Sequence, residues 1–399
     1  MTPIVTEWLN LILRWTHVIT GIAWIGSSFF FMWLDSHLTV PEKTKAGVEG
    51  ELWMVHSGGF YQVEKMQLAP SQIPPVLHWF IWEATFTWIT GILLLAVVYY
   101  LGADAFLIDP RVADLSPLAA IAIGLGTLAV AWVVYDLLWQ SPLAANTALA
   151  ATLSFLLLVG VAYGLTHLFS GRGAFIHVGA MLGTLMAVNV WVRIIPAQRQ
   201  LVRATKAGTA PDPALAANAK RRSVHNNYMT LPVVFIMVSN HFPSTYGNAY
   251  NWAVLAALFL VGATVRHHFN LRNQGRRSLW PIPAAAVVVL ALVFATLPRR
   301  AETTPAEGAA AATVPFAAAR AVIAKRCLPC HSATPSDQDF AVAPAGVKFD
   351  TPTEIAKMTG RINVRAVEQR TMPLANRTGM TDAERALLGR WIAQGAATD

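Results

Sequence analysis

The 399 residues are 55% hydrophobic and only 13% charged, with a mean hydropathy of +0.45. Ordinary globular chains are roughly 25% charged, so the composition argues against a soluble enzyme and against a disordered chain. The net charge is +8 and the only two cysteines lie three residues apart, which rules out a disulfide framework.

A helix that crosses a bilayer needs ~20 mostly apolar residues. Eight segments answer to this before residue 297: 8–34, 76–101, 115–139, 143–168, 173–195, 228–244, 248–268 and 279–297. The sixth is the weakest, being short and carrying Pro232, Asn240 and His241. A buried soluble bundle accommodates one or two such segments, not eight. The first lacks a basic leader and a clear small-residue cleavage site, so it reads as a retained helix rather than a signal peptide.

Charge placement sets the expected topology. Fourteen of the 17 Lys and Arg before residue 297 fall after the first, fifth and seventh segments, from Lys43 to Lys65, Arg193 to Arg222 and Arg266 to Arg277. Only Arg14, Arg111 and Arg172 belong to the other side. Basic loops stay in the cytoplasm, so eight spans put both termini outside. The positive balance is thereby a topology signal, and nucleic acid is not an expected partner; the lipid bilayer is. The 14 tryptophans gather near span ends, as in an interfacial belt.

Residues 298–313, PRRAETTPAEGAAAAT, have the composition of a flexible linker. A small soluble domain is expected over 314–399. Its last helix is announced by a capping box, Thr381 with Glu384, and by an apolar stripe through Leu387, Leu388, Trp391 and Ile392. Cys327-Leu328-Pro329-Cys330-His331 is the c-type haem attachment pattern. Two thiols on one turn bond the haem vinyl groups, and the next residue, His331, lies beneath the iron. A redox dithiol would need a βαβ setting, and a zinc site a further ligand. Among the downstream methionines Met358, Met372 and Met380, Met372 precedes Pro373 and a loop before the last helix, and is the expected second axial ligand; its alternative role is a core methionine. His/Met ligation raises the reduction potential. The expected fold is therefore all-α: a polytopic transmembrane bundle over 1–297, a linker, and a C-terminal class I cytochrome c domain, with haem c as cofactor.

Ten further histidines sort by depth. His17, His167, His177 and His241 fall toward the outer side, where two of them, His17 and His177 first, could clamp a haem b, or all could simply hydrogen-bond. On the inner side His78, Glu83, Arg193 and His267 are candidates for substrate binding or proton transfer, with Glu83 expected about one and a half turns beyond His78 on the second helix. Ionisable groups at membrane depth are costly and are functional candidates by default; snorkelling and end-of-helix pairing are the alternative. The tract from His56 to Lys65, HSGGFYQVEK, brings Glu64 into an inner loop rich in chemistry.

WTHVITGIAWIGSSFFFMWLD, HSGGFYQVEK, HNNYMTLPVVFIMVSNHF, CLPCH and TMPLANRTGMTDAERALLGRWI together resemble the membrane-bound cytochrome c urate oxidases, the PuuD family. The resemblance covers essentially the whole chain. It implies oxidation of urate to 5-hydroxyisourate, electrons passing through haem c to a respiratory acceptor (a soluble cytochrome c or a cytochrome oxidase), no hydrogen peroxide, and a bacterial inner-membrane location with the cytochrome domain periplasmic. The family carries Cys327, Cys330, His331 and Met372 over as haem c positions. The start of the first helix also resembles the haem-b-binding first helix of HemJ-type protoporphyrinogen oxidases, an analogy that falls on His17. The rival readings are a dehydrogenase for another small donor such as a quinol, an electron shuttle without organic substrate, and a transporter with a redox appendage.

Overall fold

The computed structural model describes residues 3–43, 45–297, 313–337, 339–340 and 342–398. Helix α1 runs over Pro3–His37, and a two-stranded hairpin follows, β1 Val48–His56 and β2 Gly59–Met66. Then come α2 Trp82–Leu94, continued as a π-helix to Tyr100, α3 Pro117–Gln140, α4 Thr147–Thr166, and α5 Gly171–Val188, continued through Asn189–Ile194 into α6 Ile195–Lys206. Helices α7 Pro213–Ser239, α8 Pro243–Tyr246, α9 Asn251–Asn273 and α10 Pro281–Thr296 complete this region.

Helix starts are encoded locally. The side chains of Ser116, Asn146 and Ser170 accept hydrogen bonds from the backbone N–H groups of Ala119, Leu149 and Gly173, which satisfies donors that a first turn leaves free. Among the described residues, six helical stretches are long and apolar enough to cross a membrane: Ile4–His37, Trp82–Tyr100, Pro117–Gln140, Thr147–Thr166, Gly171–Lys206 and Asn251–Asn273. The helical region is that of a membrane protein.

Two of the eight expected segments differ from these six. α10 has 16 residues, short of a full crossing. α7 has 27 residues but is polar over its first half. Its polar groups face protein: Arg222 is fully buried against Asp136 of α3, Asn226 accepts a bond from Asn189, and Asn227 accepts bonds from Arg266 and Asn270 of α9. A helix whose polar groups are met inside the bundle need not be apolar, and hydropathy therefore underrates it. At Pro232 of α7, Gly262 of α9 lets the helices close; a Cβ there would lie 2.9 Å from the proline ring.

The all-α expectation also misses the hairpin. Ser57 and Gly58 both have positive φ, 49° and 76°, the signature of a tight two-residue turn whose twist suits a hairpin. The tract that reads as a chemically rich loop is thus turn and strand. Lys65 donates to Asp35 at the end of α1 at 2.9 Å, which holds its pKa up, and Lys220 of α7 donates to the same carboxylate at 3.1 Å. The hairpin, the end of α1 and the start of α7 consequently share one end of the bundle, the basic end.

Residues 313–398 form their own apolar cluster around Ile323, Ile355, Leu388 and Trp391. It is built by α11 Phe316–Arg326, α12 Pro352–Lys357, α13 Thr359–Ile362 and α14 Asp382–Ala393. The Thr381–Glu384 capping box forms as the sequence predicts. Residues 298–312, most of the expected linker, lie outside the described residues. This C-terminal unit seats on the bundle end opposite the basic one. Arg111 donates to the Arg370 carbonyl at 3.2 Å, Gly247 packs on Gln369 and Thr371, and the 103–107 turn packs on residues 374–376.

An ionic group lies in the bundle interior. Asp136, 5% exposed, accepts from Arg222 at 2.8 Å and from Arg193 Nε at 2.9 Å. Removing one member of a buried pair strands the other. Asp136→Asn is expected to cost about 3–5 kcal/mol, read as a lowered unfolding midpoint in detergent; an unchanged midpoint would show that the group does not hold α3, α5 and α7 together.

Candidate functional site

The CLPCH tract follows α11 directly. Cys330 and His331 donate backbone N–H bonds to the Cys327 carbonyl at 3.2 and 2.9 Å, so the three side chains share one turn. His331 Nδ1 bonds the Val347 carbonyl at 2.9 Å, which leaves Nε2 free as a lone-pair donor and fixes the ring. Cys327, Leu328, Met358 and Met372 border the apolar cluster. The Met372 loop is held from both sides: its N–H donates to the Arg365 carbonyl at 2.9 Å, and its carbonyl accepts from Arg385 at 2.7 Å. Burial pushes both thiols up to about 12. Among the described residues no group of three or more His, Cys, Asp and Glu side chains gathers as a metal cluster would. An ordered imidazole, two neutral thiols on one turn and a fixed methionine beside an apolar wall fit a covalently held haem.

The outer histidines do not gather at one level. His17 packs on α2 at Gly91, and its Nδ1 bonds the Thr87 carbonyl at 2.9 Å. His177 lies against Phe169, Tyr99 and Tyr100. Those two contact points on α2 are some ten residues apart, roughly 15 Å at 1.5 Å per residue. The His177 Nε2 moreover faces Gly124, whose added Cβ would lie 2.7 Å away, so no macrocycle fits between them. His17 and His177 therefore do not flank one haem in this arrangement. His167 is exposed and bonded to its own helix at the Tyr163 carbonyl, and His241 is exposed.

The inner candidates also separate. α2 starts at Trp82, so His78 lies outside the helix and is exposed, while Glu83 sits in the first turn; the expected His78–Glu83 stacking along one helix is corrected by that boundary. Glu64 is tied to Lys45 and Gln62 on the hairpin. Arg193 belongs to the Asp136 group, and His267 Nδ1 pairs with the Tyr228 hydroxyl at 2.7 Å. His225, another histidine of the inner side, forms a network here with two residues not singled out from the sequence: the Tyr135 hydroxyl at 2.7 Å, and Trp139 with its ring centroid 4.0 Å from that of His225. Beside this network opens a cavity of about 1120 Å³.

The end that carries the C-terminal unit has different electrostatics. Arg172, at the start of α5, donates to the Tyr99 hydroxyl at 3.1 Å and to Asn240 at 3.3 Å, with its guanidinium 5.0 Å from the Phe106 ring centroid. Arg365 of the C-terminal unit lies within electrostatic reach of Arg172 and Tyr246, and its Nη1 is buried without a partner, as is Gln369 Oε1. Among the described residues no ion pair involves Arg172 or Arg365. His177, one and a half turns further along α5, keeps an unpartnered buried Nε2, and so does the Tyr100 hydroxyl beside it. Two cations and flat aromatic faces thus meet where the two units join, with His177 buried behind them. The sequence signal for this, Arg172 among the few cations of its side, is present but too sparse to single out.

Residues 3–297 match the family described as urate oxidase N-terminal. No curated protein and no solved structure matches the chain. The match ends before the CLPCH tract, whose chemistry stands on its own geometry. Cys330→Ala is expected to abolish haem staining of the denatured chain on a gel or reduce it severely; full staining would contradict covalent attachment at this turn.

Proposed function

Because the chain belongs to the urate oxidase N-terminal family, we propose that it oxidises urate at the junction of its two units and delivers the electrons to a haem c held by Cys327, Cys330, His331 and Met372. The reaction balances as urate plus water giving 5-hydroxyisourate, two electrons and two protons. Bound haem would supply a one-electron acceptor, so two oxidised equivalents are consumed in turn and no hydrogen peroxide is required.

The observation that carries this reading is the seating of the Met372 loop on the bundle. A donor at the basic end would have to send electrons across a ~30 Å apolar core, whereas one at the junction has no core to cross. Urate is a planar monoanion. Arg172 and Arg365 supply unpaired positive charge, and Phe106 and Tyr99 supply flat faces. His177, whose Nδ1 bonds the Gly173 carbonyl at 2.8 Å, is buried behind these faces against Gly124 and does not itself reach the substrate. Exclusion of water from the junction strengthens each of these interactions.

With the basic loops in the cytoplasm, the C-terminal unit faces the periplasm of a bacterial inner membrane, within reach of a soluble cytochrome c or a cytochrome oxidase. A quinol dehydrogenase is the alternative, and an apolar donor would leave the Arg172–Arg365 charge unused.

Turnover with oxidised cytochrome c as acceptor tests the reading. Arg172→Gln is expected to lower kcat/KM for urate by about tenfold or more, the loss of one charged hydrogen bond of ~1.5–3 kcal/mol. Unchanged turnover in this variant, or peroxide formed in step with urate consumed, would contradict it.

A further inference from the structure

The large cavity at the basic end has no role in the chemistry above. It lies between α3 and α4, which scarcely touch, and is floored by α5 and α7. Its wall is almost wholly apolar from Gly126 to Val134 on α3 and from Leu157 to Val161 on α4. Val130, Val134 and Leu157 at its rim are exposed in the protein and face hydrocarbon in a membrane. The groove therefore opens sideways to lipid rather than upward to the junction.

The polar groups stand at one end. Lys220 and Arg221 line the mouth, and no Asp or Glu lines any part of it. Arg221 spends one nitrogen on the Trp139 carbonyl at 3.1 Å and stacks 5.8 Å from that ring centroid, while its Nε is buried without a partner. The one carboxylate that meets Lys220, Asp35, is also held by Lys65. The mouth thus has an excess of positive charge, at the level where the basic loops leave the bundle. From Trp139 to Gly126 the groove runs ~20 Å along α3 at 1.5 Å per residue, about two thirds of a ~30 Å hydrocarbon core.

We propose that this groove is a binding site for one acidic phospholipid of the leaflet at the basic end. Its phosphate meets Arg221 and Lys220, and an acyl chain lies along the apolar wall. Basic pockets between membrane helices hold anionic headgroups by this combination, and an occupant of this length closes the gap that α3 and α4 leave. A phosphate on Arg221 Nε would give that nitrogen the partner it lacks. The inference is independent of the identity of the redox substrate.

The test is lipid extraction and mass spectrometry of the full chain purified in mild detergent. Phosphatidylglycerol or cardiolipin is expected at about one per chain. Arg221→Gln is expected to lower that content about fivefold, the change that ~1 kcal/mol per cation beside an anionic headgroup produces. Val130→Trp, which fills the groove without touching the charge, is expected to lower it as well, and Arg199→Gln, a cation that does not line the groove, to leave it unchanged. Should the Arg221 variant fold poorly, the intact protein answers in nanodiscs: phosphatidylglycerol is expected to raise the unfolding midpoint over phosphatidylcholine alone. Equal lipid content in the Arg221 and Arg199 variants, a quinone in place of phospholipid, or no preference for the acidic lipid in nanodiscs would overturn the proposal.

Discussion

The pairing of Asp136 with Arg193 and Arg222 is the interaction on which the bundle depends. A charge inside a membrane protein is tolerated only where another protein group answers it. Here one carboxylate answers two guanidinium groups from separate elements, and this fixes α3, the π-helical end of α5 and α7 in one register. The asparagines at 189, 226, 227 and 270 extend the same solution through neutral hydrogen bonds. α7 can then be polar and buried at once. Its charged first half meets protein partners, and its apolar second half packs against α5 and α9.

The same rule separates the two ends of the molecule. At the basic end Arg193, Arg222 and Lys220 each have a carboxylate partner. At the junction with the C-terminal unit, Arg172 and Arg365 have none among the described residues. Unpaired positive charge brought together from two parts of one chain is a cost unless an anion occupies the space. In the proposed function urate is that anion, and a place beside the Met372 loop would need no relay through the membrane. Haem b between His17 and His177 would have been such a relay. The separation of those histidines along α2 and the fit of His177 against Gly124 make it unnecessary for a substrate at the junction.

Most of the apolar segments were legible in the sequence because lipid imposes a length and an apolar composition that few other environments demand. The Thr381–Glu384 cap was legible for a related reason: it is a short-range pattern whose chemistry fixes its own spacing. The hairpin was not. Its strands carry Glu, Gln and Lys in the company of exposed Trp53, Val55 and Phe60, so alternation is blurred, and the His-Ser-Gly-Gly run reads equally as a reactive loop or a turn. The start of α2 was displaced from 76 to Trp82 because the preceding apolar residues follow two prolines and remain irregular. The partnership of Arg172 with Arg365 joins residues nearly two hundred positions apart and leaves no local pattern.

The central claim is that urate gives its electrons to a haem on this same chain. Anaerobic addition of urate to the purified, fully oxidised protein, followed in the visible spectrum, tests it most directly. Rapid appearance of the reduced c-type band, with about two haem equivalents reduced per urate consumed, is the result this account predicts. A haem that dithionite reduces and urate does not would contradict it.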